Sequence, residues 1–505
     1  MGVVIKNTFW STLIIYLGFA VGFFFSVQLM PQLLSKEQIG LINIFFDISS
    51  PFVALSTFGF FTIIVKLNPY YIDRLENKDN DLLSLAWWTS IVSFIILIVL
   101  GYFFRDLILQ KFNKSPLLQQ FFYLIPFFSL GLLNNYLLQA FHNSLKNTIL
   151  ISFVNELGLK TYNAILILLL FFKVIDFKVY FYLYCCTYFI TSFVLYIALK
   201  KEGFSVVKFS VSNLTKKLSK IIFSTGLFFW GANFFGIASS FIDSFTLAGV
   251  NGLAETGLFT YTTKFIAIML VTHRAVVPIA TTIIAESWKK NDLKNLHDIY
   301  KRSALNLVLL GGFIFIGISS NLKTYIENFL PAGYDEIYPI FVILGIAKLI
   351  DFMTGINGEI IIMSRKYWKV SFFSQIVLVI LLIPCNIFLI SRMGGIGAAY
   401  ANLLAFSVYN LLSCSYLYYK TKMTPLSKQL YYSIGLITII ALLFNFLPLD
   451  YKIFQNYKIN ALFLMVFKGI LITFFYIGSI YWFNLSNDIK GIIDKSINFV
   501  KSKMI

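Results

Sequence analysis

Charge, histidine, cysteine and proline are all scarce in this chain of 505 residues: charged side chains make up 13% of it, with 3 His, 4 Cys and 11 Pro. Each shortage removes a class of function. Soluble globular domains carry about a quarter charged residues, so a soluble protein of this length is excluded. Cys185, Cys186, Cys385 and Cys414 all fall within apolar runs and form no Cys-x-x-Cys pair, which predicts neither a disulfide nor a metal site. The glycine-rich phosphate loop with its lysine is missing, which argues against ATP hydrolysis, and no other cofactor motif is present. No connection between apolar runs exceeds about 20 residues, so no extramembrane catalytic domain has room and the chain is not expected to be an enzyme. Alternating strand-length segments, the mark of an outer-membrane barrel, are absent too.

What is present is hydrocarbon. Hydrophobic residues are 58% of the chain, mean hydropathy is +0.79, and apolar runs long enough to cross a bilayer as helices recur from end to end. The fold class is therefore all-α integral membrane. Lys6 precedes the run Phe9 to Met30, too long for a signal-peptide core and without a small-residue cleavage site, so it reads as the first span; the opening Met-Gly-Val-Val-Ile-Lys lacks a myristoylation signal. Fourteen spans are predicted, including 40–65, 221–248, 257–285, 335–362, 369–391 and 394–419. An even number places both termini on one side, and that side's loops hold 26 Lys and Arg against 10 on the other. By the positive-inside rule it is cytoplasmic, so the net charge of +18 is a topology signal and not a nucleic-acid footprint. The expected home is the cytoplasmic membrane.

The longest connection carries Lys200, Lys201, Lys208, Lys216, Lys217 and Lys220 and makes a natural seam. It divides the chain into a six-helix lobe at 1–200, a basic linker at 201–220, a second six-helix lobe at 221–420 and two further spans with a tail at 421–505. A short internal repeat agrees. LSKEQIGLINIF, Leu34 to Phe45, matches GLAETGLFTYTT, Gly252 to Thr263, at an offset near 217 that aligns Gly40 with Gly257 and Asp47 with Lys264.

Three segments carry a family likeness. Asp243 followed by LAGVNGLAETGLFTYTTKF, VVPI and AESW (Leu247 to Trp288), PAGYDEIYPIFVIL (Pro331 to Leu344) and GGIGAAYANLLAF (Gly394 to Phe406) resemble, in this order, the O-antigen-type polysaccharide-biosynthesis flippases of the multidrug/oligosaccharidyl-lipid/polysaccharide exporter superfamily. The resemblance implies two six-helix lobes around a central cavity, working by alternating access on an oligosaccharide linked to a polyprenyl diphosphate. Its implied partners are that lipid-linked glycan, membrane lipid and a coupling ion, proton or sodium.

Ionised side chains inside apolar spans are costly and mark polar pathways or internal pairs. Arg274, about 25 Å from the outer end of its span at 1.5 Å per residue, suits a lipid diphosphate, with Thr272 and His273 beside it; the bland alternative is snorkelling to the inner headgroups. Lys264 stands level with Asp243 on adjacent spans, which fits either an ion pair at an outer gate or a substrate contact. Lys348, Asp351 and Glu359 fall within one arc of about 80° if 335–362 is a single helix, pointing to a lined cavity or a buried ion cluster, with Asp351 and Glu359 the candidates for a coupling ion. Glu156 and Lys160, at i and i+4, fit mutual neutralisation or a substrate role for the lysine. Asp47 and Lys468 rank as isolated lining residues. Gly18 with Gly22, and Gly394, Gly395, Gly397, Ala398 and Ala399, read as close helix packing. Asp79-Asn80-Asp81 reads as a solvated loop rather than a glycosyltransferase metal motif. Two rival functions remain: a cation-coupled multidrug exporter of the same superfamily, and a membrane-embedded glycan polymerase or ligase, for which the short outer loops leave little space.

Overall fold

The computed structural model of the chain describes residues 14–75, 79–204, 208, 210–364, 366–446, 453–491 and 494. Lys6, the start of the first expected span and Lys452 lie outside them. The described residues are helical without strands. Besides a short helix at Arg105–Lys111, the helices in chain order are α1 (Ile14–Leu33), α2 (Lys36–Ser56), α3 (Phe60–Ile72), α4 (Leu82–Phe103), α5 (Pro116–Ser144), α6 (Ile149–Phe171), α7 (Phe177–Lys201), α8 (Asn213–Val250), α9 (Leu253–Lys290), α10 (Leu293–Phe329), α11 (Ile337–Met353), α12 (Asn357–Met363), α13 (Trp368–Thr421), α14 (Lys428–Phe446) and α15 (Tyr457–Trp482). Among the described residues ten helices are long and apolar enough to cross a membrane, eleven if the bent pair α11 and α12 is one span. The protein is a multi-pass membrane protein, and its outward apolar surface, with Phe103, Phe446 and Trp482 more than three-quarters exposed, is what lipid contact requires.

Helix starts are set by short polar side chains. Ser35 and Gln38 form a capping box at α2, and Asp176, Ser212, Asp292 and Asn456 each accept a backbone N–H in the first turn of α7, α8, α10 and α15. The chain divides into two compact units, Met1–Gly257 and Leu258–Ile505. In the first, Phe45, Phe121, Phe128, Tyr180 and Phe181 form an aromatic centre, with the Phe45 and Phe181 rings edge to face at 4.8 Å. A second cluster joins α3, α4 and α5 through Ile63, Ile64, Leu82, Leu133 and Leu137.

Two expected spans are broken. The run 40–65 is not one helix: α2 ends at Ser56, Phe58 and Gly59 take φ of 48° and 76°, and α3 follows. The run 335–362 bends by 45° between α11 and α12, with Gly355 at φ 64°. Hydrophobic length shows neither, because an apolar run stays apolar across a turn. The reverse holds for 369–391 and 394–419, which are continuous apart from Gly394, at φ 55° and ψ −134°. That backbone region is nearly closed to other residues. Gly397 then lies so close to Leu389 that a Cβ would stand 2.2 Å from its carbonyl oxygen.

Close packing also explains the first glycine pair. A Cβ on Gly18 would fall 2.2 Å from the Glu156 carbonyl oxygen, and one on Gly22 2.9 Å from Lys160 Cδ, so α1 meets the α6 backbone at Gly18 and the Lys160 stem at Gly22. Both helices carry a π-turn there, Phe24–Leu29 and Phe153–Gly158.

The repeat has a physical form. A Cβ on Gly40 would stand 2.1 Å from the Leu253 carbonyl oxygen, and one on Gly257 would stand 2.1 Å from that of Lys36. Residues 36 and 253, like 40 and 257, are 217 apart, so the contact is reciprocal.

Of the Asp79-Asn80-Asp81 segment, expected as a solvated loop, Asp79 is exposed but Asn80 and Asp81 are buried. Asp81 is buried and its carboxylate accepts from the Ser212 N–H at 2.8 Å, the Ser212 hydroxyl at 2.9 Å and the Thr215 hydroxyl, while Asn80 donates to Asn68 at 2.7 Å. Helix α8 therefore begins at Asn213, eight residues before its apolar run, because this carboxylate fixes its cap.

Candidate functional site

In the second unit polar side chains gather at the break between α11 and α12. Lys348 Nζ lies 3.0 Å from Asp351 Oδ2, one turn on, and 5.2 Å from the centroid of the Phe406 ring. The other Asp351 oxygen accepts from Asn410 Nδ2 at 3.0 Å. Asn410, buried on α13, turns its amide oxygen toward Thr354 Oγ1 at 3.0 Å and Asn357 Nδ2 at 3.2 Å. Asn357 in turn accepts from the Gly358 N–H and approaches Cys414 Sγ at 3.8 Å, where the Tyr300 hydroxyl meets the same sulfur at 3.2 Å. The break removes regular helix hydrogen bonds inside an apolar span, and these side chains occupy the exposed backbone region, as a bilayer core demands.

The angular argument that joined Lys348, Asp351 and Glu359 assumed one continuous helix, and the break invalidates it. Lys348 and Asp351 do share a face. Glu359 belongs to α12, is half-buried, and makes no ion pair among the described residues; Tyr409 lies within electrostatic reach of both Glu359 and Asp351 and links them in space. His273 lies parallel to Phe352, ring centroids 6.4 Å apart, and within electrostatic reach of Asp351. Arg274 is exposed and stands 21 residues into α9, about 32 Å along it. Lys264 is also on α9, with Nζ 5.7 Å from the Tyr261 ring centroid. Sequence reasoning passed over Asn410, Thr354 and Asn357, whose only signal was an amide or hydroxyl inside an apolar run.

In the first unit, Lys160 Nζ pairs with Glu156 Oε2 at 2.7 Å, both side chains about one-third exposed. Asp47 on α2 and Asp243 on α8 are both buried and within electrostatic reach of one another, and Ser244 donates to the Asp47 carboxylate. Asp243 and Lys264 belong to different units. Lys468 on α15 donates to the Ser320 carbonyl at 2.8 Å, a tie between α15 and α10. All four cysteines are free thiols, and no group of three metal-ligating side chains occurs among the described residues.

The same arrangement of helices occurs in solved transporters. The chain superposes on a lipid II flippase MurJ in an inward closed conformation with a TM-score of 0.67 at 15% identity, covering 93% of this chain and 99% of that one. It superposes on an inward-facing multidrug resistance MATE family transporter of the MOP superfamily with a TM-score of 0.57 at 12% identity, covering 84% and 94%. At those identities the likeness establishes the fold. No curated protein matches the sequence. A family model does, over residues 4–284, more than half of the chain, and on that match the chain belongs to the polysaccharide biosynthesis protein family.

Proposed function

We propose that this chain is a flippase that carries a polyprenyl-diphosphate-linked oligosaccharide across the cytoplasmic membrane for surface polysaccharide synthesis, O-antigen, capsule or exopolysaccharide. The observation that carries the reading is Arg274, an exposed guanidinium in the middle of a 38-residue apolar helix within the family-matched region. A planar fork with several N–H donors suits a diphosphate better than any neutral group in the span. Lys264, Lys348, Lys160 and His273 are assigned to the glycan and its phosphates. Asp243, Asp351, Glu359, Asp47 and Glu156 are assigned to gating and to a coupling proton or sodium. The transport body in this reading is the pair of six-helix lobes, 1–200 and 221–420, with both termini cytoplasmic. Cysteine labelling should then find position 294 reactive from inside and position 111 from outside, and external labelling at 294 would reverse the map.

Deleting the gene and identifying by mass spectrometry the lipid-linked glycan that accumulates tests the function directly. Complementation with position-274 variants tests the site: export should fall in the order Arg, Lys, Gln at matched protein levels, since lysine keeps the charge but loses the fork. Near-normal export by Arg274→Gln removes the residue from the site. A second reading, a cation-coupled drug exporter, is favoured by the buried Asp47 and Asp243. Under it the deletion accumulates no lipid-linked glycan and sensitises cells to a cationic drug instead.

A further inference from the structure

A groove of about 560 Å³ runs along the second unit between α10, α11 and α14. Its walls are apolar, with Val308, Phe315, Ile346, Ile350, Ile437 and Leu442 among them. Its charged side chain and two polar ones collect at one end. Lys323 lies six residues before the end of α10, Tyr338 is in the first turn of α11, and Asn445 is the last residue but one of α14. The Lys323 ammonium sits 4.6 Å from the Tyr338 ring centroid. The Tyr338 hydroxyl donates to the Asn445 amide oxygen at 3.4 Å, and the Asn445 amide nitrogen is committed to the Ala441 carbonyl at 2.8 Å. Lys323 makes no ion pair among the described residues, although Glu327 is one turn away. An ammonium held by an aromatic face keeps its N–H donors for an anion.

The occupant must match both ends. Its head carries negative charge, because Lys323 is the charged side chain among the lining residues and pairs with none of the described carboxylates near it in sequence, Glu327, Asp335 and Glu336. Its body is a flexible hydrocarbon, because the walls are apolar and open sideways: Leu442 is 54% and Phe446 80% exposed, surface that in a membrane faces lipid tails. We propose that this groove binds an anionic phospholipid, with the phosphodiester on Lys323 and one acyl chain along α10, α11 and α14. The site thereby ties helix α14 to α10 and α11 through a lipid. It is independent of what the protein transports.

Native mass spectrometry of the full-length protein with dioleoyl phosphatidylglycerol and dioleoyl phosphatidylethanolamine tests this. The wild type should retain phosphatidylglycerol in preference. Lys323→Gln, with an unchanged melting midpoint, should lower that retention about fivefold and leave phosphatidylethanolamine alone, while Lys323→Arg keeps it. Ala441→Trp, which fills the groove, should lower retention of both lipids. Equal retention by Lys323→Gln and wild type overturns the proposal, as does full phosphatidylglycerol retention by Ala441→Trp. Displacement of phosphatidylglycerol by a polyprenyl monophosphate, dependent on Lys323, would assign the groove to a carrier lipid and equally overturn it.

Discussion

Each unit interrupts one of its spans, and the two interruptions are held in opposite ways. In the first unit the turn between α2 and α3 is closed by rings and backbone: Phe58 stacks on Trp230 with centroids 5.3 Å apart, the Trp230 indole N–H donates to the Leu55 carbonyl at 2.8 Å, and Gly59 presses on the Gly226 carbonyl. In the second unit the turn between α11 and α12 is closed by Thr354, Asn357 and Asn410, and the same network carries the Lys348–Asp351 pair. An apolar lock has one good arrangement and resists exchange. A polar one can exchange partners only where water or another polar group replaces them, since a buried group left unpaired costs about 1–3 kcal/mol.

The sharpest way to break this contrast is Asn410→Leu. It removes the acceptor of the buried Asn357 amide and a donor from Asp351, at about 1–3 kcal/mol for each group left unpaired, while Thr354 keeps the Asp351 carbonyl at 2.7 Å. The melting midpoint in detergent should fall by several degrees and transport should be lost. A variant as stable and active as wild type would mean that the network is incidental. Next in size is the glycine comparison. An alanine at either turn pays about 1–2 kcal/mol for a left-handed backbone. Gly59→Ala also drives its Cβ to 2.5 Å from the Gly226 carbonyl oxygen, whereas at Gly355 the nearest atom, Ser303 Oγ, is 3.1 Å away on a side chain that can turn. Gly59→Ala should therefore destabilise the protein more than Gly355→Ala; the reverse order in thermal melts would show that the first break is the looser of the two.

The smallest effect lies beyond the spans, where Asp488 binds Arg302 through two guanidinium nitrogens and accepts from Asn306 at 2.9 Å, holding the segment after α15 against α10. Hydrogen bonding to Arg302 holds the Asp488 carboxyl below the usual carboxylate range. A depressed pKa gives stability that is present above about pH 4, the ordinary aspartate value, and is lost as pH falls through the lower folded value. Because the pair is well exposed, the contribution is a few tenths of a kcal/mol, and Asp488→Asn should lower the neutral-pH midpoint only slightly while flattening its acid dependence. An unchanged acid dependence would remove the latch.

Much of the fold was legible because hydrophobic length and turn residues are local signals, whereas the compact units divide at Gly257 and not at the lysine-rich connection. The apolar runs 83–104, 117–141, 148–172 and 179–199 lie within three residues of the ends of α4 to α7. The breaks were hidden, since Thr57-Phe58-Gly59 and Thr354-Gly355-Ile356 interrupt no apolar run and carry no proline. With the second break went the register that placed Glu359 beside Lys348. The site was legible in its charges but not in its neutral partners: Asn410 looks like any polar residue in a span until α13 sets it against the turn. Asp81 was misread for a related reason, because its ligands Ser212 and Thr215 lie more than 130 residues away.

The reciprocal contact of Gly40 and Gly257 has one more consequence. When residue i of one copy meets residue j of the other, and j meets i in return, the interface is of the kind that two identical subunits make across a twofold axis. The contact has that reciprocal form at this point, although Asp47 and Lys264, which share its register in sequence, differ in sign. Neither glycine position can accept even a methyl group while the facing backbone stays where it is.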